Sequence, residues 1–143
     1  MTKISKGFTL IELLITIGII AIIGALTYPS YRDYSLTSQL TEGMSRLQNE
    51  WINSAQYYQD NRTYETMCSE DRVKAMNKGL DYFTISCTTV EENELTLQAS
   101  DKNGFIFTIN ELGEKSTLGV DPKWTLPEGN ACWVSKKNGE CRK

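Results

Sequence analysis

Residues 7–12 of this chain read Gly-Phe-Thr-Leu-Ile-Glu, and an apolar run then continues without a further charge until Arg32. From Phe8 to Tyr28 the run holds 21 residues, of which only Glu12 carries a charge at neutral pH. At about 1.5 Å of rise per residue, a helix of this length reaches about 30 Å, the thickness of the hydrocarbon core of a bilayer. The sequence therefore predicts a helix that can cross a membrane.

The flanks of the apolar run predict its orientation. Lys3 and Lys6 precede it and no acidic residue does, so we expect the N-terminal stretch in the cytoplasm and the chain after Arg32 outside. A secretory signal would have a shorter apolar region followed by a cleavage site of small residues, without a carboxylate at its start. A charge such as that of Glu12 is costly inside a membrane and indicates a functional role.

Residues 6–13, Lys-Gly-Phe-Thr-Leu-Ile-Glu-Leu, resemble the processing motif of type IV pilins and of the pseudopilins of type II secretion. In that family a prepilin peptidase cuts after the glycine and methylates the new terminal residue, so the resemblance implies cleavage after Gly7 and N-methylation of Phe8. It also implies that Glu12 pairs with the terminal amine of a neighbouring subunit during assembly. After such cleavage the new Phe8 amine lies one helical turn from Glu12, so the two charges could also compensate each other within one chain. Pro29 matches the proline that bends or locally melts the long helix in the family.

The resemblance implies an α+β architecture, the type IV pilin fold. A long N-terminal helix, hydrophobic in its first half and amphipathic in its second, would pack on an antiparallel sheet with a disulfide-closed C-terminal loop. We accordingly divide the chain into a cleaved leader peptide at 1–7, a transmembrane and assembly helix at 8–29, and an extracytoplasmic head at 30–143. Such a subunit would lie in the bacterial inner membrane before assembly and in the extracellular pilus afterwards.

The helical pattern continues after Pro29. Apolar residues recur every three or four positions, which predicts one buried face on an amphipathic helix that ends near Asp60 and Asn61. This face consists of Leu36, Leu40, Met44, Leu47, Trp51, Ala55 and Tyr58. The polar face is expected to hold Glu42, Arg46, Gln48 and Glu50. Pro29 and Gly43 are expected to weaken the helix locally.

Strand patterns follow the helix. Apolar and polar residues alternate in 82–89, 94–100 and 104–110, which predicts three strands with one buried face each. Residues 101–104, Asp-Lys-Asn-Gly, predict a tight turn because Asn-Gly tolerates positive φ, so the strands beside it pair antiparallel. A helical turn at 71–76 and short strands at 115–118 and 131–135 are further candidates. A helix laid across this sheet would bury both apolar faces.

The four cysteines all follow the apolar run, on the side of the membrane where disulfides form. Three pairings are open. The nine-residue separation of Cys132 and Cys141 resembles a turn closed by a bridge, which favours Cys132–Cys141 together with Cys68–Cys87. Pilins typically close a C-terminal loop in this way, so the resemblance supports the same pairing. A zinc site is disfavoured because no two cysteines lie two to four residues apart.

Composition excludes several classes of site. The chain has 143 residues, no histidine and a formal net charge of -3. Ser-His-Asp and Cys-His nucleophilic sites and histidine metal sites are therefore impossible, and no glycine-rich phosphate loop is present. We therefore expect no enzymatic activity, no cofactor and no bound metal ion. Loss of Lys3 and Lys6 with the leader lowers the charge from -3 to -5, which disfavours general nucleic-acid binding.

These observations predict a structural pilin. Apolar helices that leave a bilayer must bury one another, and a helical, heterologous assembly of them is a filament. The resemblance implies adhesion, twitching motility and DNA uptake as roles, and it implies other pilin subunits, prepilin peptidase, the assembly machinery and a host surface as partners.

Two alternatives remain open. One is a minor pilin that binds DNA through the C-terminal loop, where the final eight residues have a net charge of +3. The candidate contacts are Lys136, Lys137, Arg142 and Lys143. A solvated loop and tail is the simpler interpretation of the same residues. The other alternative is a pseudopilin of a secretion system. Pseudopilins of the major type commonly carry an Asp-rich calcium loop, and the lack of a clear one here disfavours this alternative.

Overall fold

The computed structural model describes residues 7–141, without the side chains of residues 26 and 28–30. Its helices are α1 (Leu10–Asn61) and α2 (Glu70–Met76), with a short 3-10 turn at Glu128–Asn130. Its strands are β1 (Phe83–Val90), β2 (Leu95–Asp101), β3 (Ile106–Asn110) and β4 (Lys115–Gly119). This order confirms the predicted α+β class. The chain divides into two compact units, and the second begins at Thr37. We call this second unit the head.

Helix α1 ends where the sequence predicts. Its last residue is Asn61, whose side-chain amide donates to the carbonyl of Tyr57 at 3.0 Å. Arg62 follows with a φ of 60° and donates its amide to the carbonyl of Tyr58 at 2.8 Å. A residue in the left-handed conformation directly after a helix satisfies a terminal carbonyl and turns the chain away.

The buried face of α1 in the head is confirmed at its start and differs at its end. Leu40, Met44 and Leu47 are fully buried, but Trp51, Ala55 and Tyr58 are only partly covered. The buried positions there are Glu50, Ser54 and Tyr57. The prediction that Glu50 lies on the polar face is therefore wrong.

Glu50 is buried because its carboxylate has partners. The guanidinium of Arg46 lies 3.2 Å from Glu50 Oε1, and the amide of Asn53 donates to Oε2 at 3.1 Å. The same guanidinium donates to the carbonyls of Met76 and Ala75, at the C-terminal end of α2. A buried charge is tolerated when it is paired and hydrogen-bonded, so this pair joins α2 to α1.

The sheet is an antiparallel meander in the order β1-β2-β3-β4. Its buried apolar side chains are Phe83, Ile85, Leu95, Leu97, Ala99, Phe107 and Ile109, and Phe105, directly before β3, is also buried. The predicted turn joins β2 to β3: Gly104 has a φ of 96°, and the Asp101 carboxylate accepts the amides of Asn103 and Phe105. The strand predicted at 115–118 is confirmed as β4.

Side chains close both edges of the sheet. On the β1 edge, the amide group of Asn77 donates to the Ile85 carbonyl at 2.8 Å and accepts the Ile85 amide at 2.7 Å. On the β4 edge, the hydroxyl of Thr117 donates to the Cys132 carbonyl and accepts the Val134 amide. The strand predicted at 131–135 is therefore wrong. The segment reaches β4 through a hydroxyl, and its backbone forms only the Val134–Cys141 bridge within the described residues.

Candidate functional site

The N-terminal site lies where the apolar run begins. Gly7 and Phe8 are exposed, and α1 starts two residues after Phe8. Both the amide and the hydroxyl of Thr9 donate to Glu12 Oε2 at 2.8 Å. In return, the Glu12 amide donates to the Thr9 hydroxyl at 3.3 Å. Thr9 and Glu12 therefore form a reciprocal cap on the first turn of the helix.

Thr9 is a site residue that the sequence analysis missed. A Thr followed three positions later by Glu, just before an apolar run, is the pattern of a capping box. The predicted partner of Glu12 is the new Phe8 amine, within one chain or in a neighbouring subunit, and Thr9 is not among the predicted donors. In the structure, Oε2 of Glu12 accepts both hydrogen bonds from Thr9 of the same chain. The assembly role of Glu12 stays a prediction.

The first turns of α1 expose large apolar side chains. Eleven of them lie between residues 8 and 23, and each is between 52% and 82% exposed. Within residues 7–141, a helix with the length and apolarity of a membrane span is not found. The transmembrane assignment of 8–29 stays a prediction. Helix α1 is assigned through Pro29 without interruption, and the assembly role of Pro29 stays a prediction.

The C-terminal loop forms a second candidate site. Cys132 and Cys141 are bonded, with their Cα atoms 6.0 Å apart. Between them the Lys136 ammonium lies 2.7 Å from a carboxylate oxygen of Glu140. The hydrogen bond from Lys136 and the charge of its ammonium hold the pKa of Glu140 below its usual value.

The four candidate DNA contacts are only partly described. Lys136 and Lys137 are both exposed on the C-terminal loop, and the Lys137 carbonyl accepts the amide of Thr125 at 2.9 Å. Lys136 already has an acidic partner within the chain. Arg142 and Lys143 lie outside the described residues, as do Lys3, Lys6 and the rest of the leader before Gly7.

The other disulfide joins Cys68 to Cys87, with Cα atoms 6.3 Å apart. It ties the connection between α1 and α2 to strand β1. These are the two bonds that the sequence analysis favours. Within residues 7–141 no cysteine is free, and no group of side chains is arranged to hold a metal ion.

A shallow cavity of about 280 Å³ lies beside the Glu50 carboxylate. Its lining consists of Glu50, Asn53, Met67, Arg72, Ala75 and Met76. The polar groups of this lining have partners in the fold: Glu50 binds Arg46 and Asn53, and the guanidinium of Arg72 lies 4.4 Å from the centre of the Tyr57 ring. The cavity therefore offers no group poised for chemistry.

Comparison with known proteins gives the family. A model described as the prokaryotic N-terminal methylation motif matches residues 2–28, and one described as type IV minor pilin ComP, DNA uptake sequence receptor, matches residues 29–106. The second match covers more than half of the chain. The type IV major fimbrial protein FimA of Dichelobacter nodosus is 35% identical over 120 residues, 83% of this chain and 74% of FimA. The chain belongs to the type IV pilin family.

A further sequence relative agrees with this assignment. The fimbrial protein EcpC of Eikenella corrodens is 28% identical to this pilin over 148 residues, which cover 99% of the chain and 89% of EcpC. Among solved structures, the minor pilin PilV of Neisseria meningitidis has a TM-score of 0.42 and 19% identity, over 59% of this chain and 91% of PilV. That structural likeness is weak, and the assignment rests on the sequence relatives.

Membership of the family gives the broad role. This pilin is a structural subunit of a type IV pilus, an extracellular filament that it forms with other pilin subunits.

Proposed function

We propose that this pilin is processed after Gly7, passes through the inner membrane, and assembles by burying the exposed apolar surface of residues 8–23 against neighbouring subunits. Prepilin peptidase and the pilus assembly machinery would be its partners in these steps. The observation that carries the proposal is the set of eleven exposed apolar side chains. Covering them is worth on the order of 10 kcal/mol per subunit before the cost of association.

Glu12 supplies the alignment in this proposal. Oxygen Oε2 accepts both Thr9 donors, so Oε1 is the acceptor offered to the terminal amine of a neighbour. A charge left without a partner inside an apolar bundle is strongly penalised, and the stagger that pairs it is thereby selected.

Mass spectrometry of the subunit in sheared filaments tests the processing step. We expect a mature chain that begins at Phe8 and carries one added methyl group on its amine. A mature chain that retains Gly7, or that begins elsewhere, would contradict the proposal.

Assembly is tested with Glu12→Ala, which should abolish filaments while the chain still accumulates in the cell. Glu65→Ala, which replaces an exposed glutamate of the head outside any proposed contact, is the control. Filament yields from Glu12→Ala equal to those of the parent would exclude the alignment role. Quantifying the subunit in the same filaments separates a major pilin, which dominates them, from a minor one.

A second candidate function is DNA capture. The family model over residues 29–106 is named for a DNA uptake sequence receptor, which favours it. That segment carries seven basic and twelve acidic residues, so its net charge opposes binding to phosphates. We therefore place the candidate contacts on the C-terminal loop, at Lys136 and Lys137, followed by Arg142 and Lys143.

Gel-shift titration with duplex DNA at several salt concentrations tests this candidate. Replacing Lys136 and Lys137 with Ala should weaken binding. It should also reduce the slope of log K against the logarithm of the salt concentration by roughly 1.8 in magnitude, the value for two lost phosphate contacts. Lys74→Ala is a matched control, because Lys74 also lies 2.7 Å from a glutamate four positions away. Equal binding by the double variant and the parent would end the DNA hypothesis for this loop.

A further inference from the structure

The two ends of the head carry different charges. The β1–β2 loop and the β3–β4 turn lie at one end of the antiparallel meander, and the β2–β3 turn lies at the other. Trp124 packs edge-on against Phe105 beside the β2–β3 turn, with ring centroids 5.0 Å apart. The neighbouring Thr125 amide donates to the Lys137 carbonyl at 2.9 Å. The C-terminal loop is thus held at the end opposite to the β1–β2 loop.

We define the acidic end as the exposed glutamates of the β1–β2 loop and the β3–β4 turn: Glu91, Glu92, Glu94 and Glu114. Along residues 7–141, none of these four carboxylates belongs to an ion pair. The C-terminal end of α1 lies beside them, since the Tyr58 hydroxyl donates to the side chain of Asn93 at 2.7 Å. The negative end of the helix dipole therefore adds to their charge.

Backbone contacts fix the acidic end in place. The Glu91 amide donates to the Glu94 carbonyl at 2.9 Å, and the Tyr64 amide donates to the Glu92 carbonyl at 3.1 Å. The backbone of a loop with three glutamates in four residues is thereby held in one conformation. A group of like charges on a fixed backbone favours a cationic partner.

We define the basic loop surface as three exposed lysines on the segment that follows β4: Lys123, Lys136 and Lys137. By sequence, residues 120–143 carry five basic and three acidic side chains, so the segment has a net positive charge. Strand β2 has seven residues, so the two ends are separated by about 20 Å. Because this exceeds the Debye length of about 8 Å at physiological salt, the two surfaces do not neutralise each other within one head.

Each surface also carries an exposed leucine. Leu112 lies in the β3–β4 turn of the acidic end and is 73% exposed. Leu126 is 42% exposed, and its carbonyl lies beside Gly139 of the C-terminal loop. An apolar centre with a charged rim is the usual composition of a protein interface.

We propose that the acidic end of one copy of this chain binds the basic loop surface of the next copy along the pilus. The proposal rests on the filament function proposed above. Two different surfaces at opposite ends of one head make a heterologous contact, which repeats along an axis without closing. Leu112 and Leu126 would form the centre of the contact, and the glutamates and lysines would set its polarity and partner.

Charge reversal in filament-producing cells tests the contact. Glu91→Lys with Glu92→Lys reverses the acidic end, and Lys123→Glu with Lys137→Glu reverses the basic loop surface while keeping the Lys136–Glu140 pair. Each double variant should reduce the yield of sheared filaments roughly tenfold or more, because like charges then face each other. Combining all four substitutions should restore the yield.

The control is Glu70→Lys with Lys74→Glu, which reverses two charges on α2 outside both surfaces and should leave the yield unchanged. Parental yields from both double variants would overturn the contact and leave the filament function intact. Reduced yields without restoration in the combined variant would also overturn it. A parent that forms no filament would overturn both proposals. Loss of filaments with the Glu91 and Glu92 reversals, while the free subunit keeps its DNA affinity, separates this contact from DNA binding.

Discussion

Gly43 lies on the buried face of α1, directly against the ring of Phe83. A Cβ atom added at Gly43 would stand 2.6, 2.6 and 2.9 Å from three ring carbons. Ordinary contacts between carbon atoms are about 3.5–4.0 Å, so the ring would have to move by about 1 Å. It has little room, because Phe83 is buried and its ring is stacked on Phe107 with centroids 5.9 Å apart.

Two opposing effects set the stability of Gly43→Ala. Alanine is favoured over glycine in a helix interior by about 0.8–1.0 kcal/mol. Overpacking a filled core costs about 1–3 kcal/mol, and three contacts below 3.0 Å place this site towards the upper part of that range. We therefore expect a net loss of about 1–2 kcal/mol, which lowers Tm by about 4–12 °C for a domain of this size.

Urea unfolding of the purified chain in mild detergent, followed by tryptophan fluorescence, measures the change. In the Phe83→Ala background the obstruction is gone, so Gly43→Ala should become stabilising by about 1 kcal/mol. Gly18→Ala is the control, because nothing lies within 4 Å of its added Cβ, and it should leave unfolding of the head unchanged. If Gly43→Ala stabilises the parent as an exposed helical glycine would, the close contact with Phe83 does not exist.

Three further predictions concern single hydrogen-bonded groups. Thr117→Val should lower the free energy of unfolding by about 1–3 kcal/mol, measured in urea, because the buried Val134 amide loses its acceptor. The ion pair of Lys136 and Glu140 stabilises the loop when the pH is above the pKa that the Glu140 carboxyl has in the unfolded chain. This contribution is lost as the pH falls through the lowered pKa of the same carboxyl in the folded protein. In Lys136→Ala, an NMR titration should show that the pKa of Glu140 rises. Thr9→Val should fray the first helical turn, seen as faster amide exchange there.

The strands and the end of α1 follow from local sequence. Alternation in 82–110 places one face of each strand inside, and the Asn-Gly turn fixes the pairing of β2 with β3 without long-range information. The structure confirms these predictions because the sheet is a meander, in which strands that are neighbours in sequence are also neighbours in space.

The errors arise where a distant partner changes the environment of a side chain. Glu50 looks like a surface residue, but its partner Arg46 also donates to the carbonyls of Met76 and Ala75 in α2, and the pair is covered there. Gly43 looks like a weak point of the helix, although Phe83, forty positions away, requires it. Residues 131–135 have strand-like composition, but they are joined to β4 through the hydroxyl of Thr117 and not through backbone hydrogen bonds. Hydrophobic periodicity does not encode such pairwise contacts.

The site shows the same limit. The Gly7–Phe8 junction and Glu12 could be found from sequence because a specific motif carries them. The cap from Thr9 was overlooked because one residue, Glu12, fits two patterns at once. Charges at 91–94 and 123–137 are visible in the sequence, but only the strand order and the contacts of Trp124 and Thr125 place them at opposite ends of the head.

The side chains of Asn77 and Thr117 have a consequence for crowding. In a pilus, pilin heads are held side by side at a very high local concentration, where unprotected outer strands could pair with one another and form a continuous cross-β sheet. An amide group occupies the middle of one outer strand, and a hydroxyl anchors a covering segment on the other. Heads whose outer strands are closed in this way can be packed side by side without fusing edge to edge, so each subunit keeps its own fold in the filament.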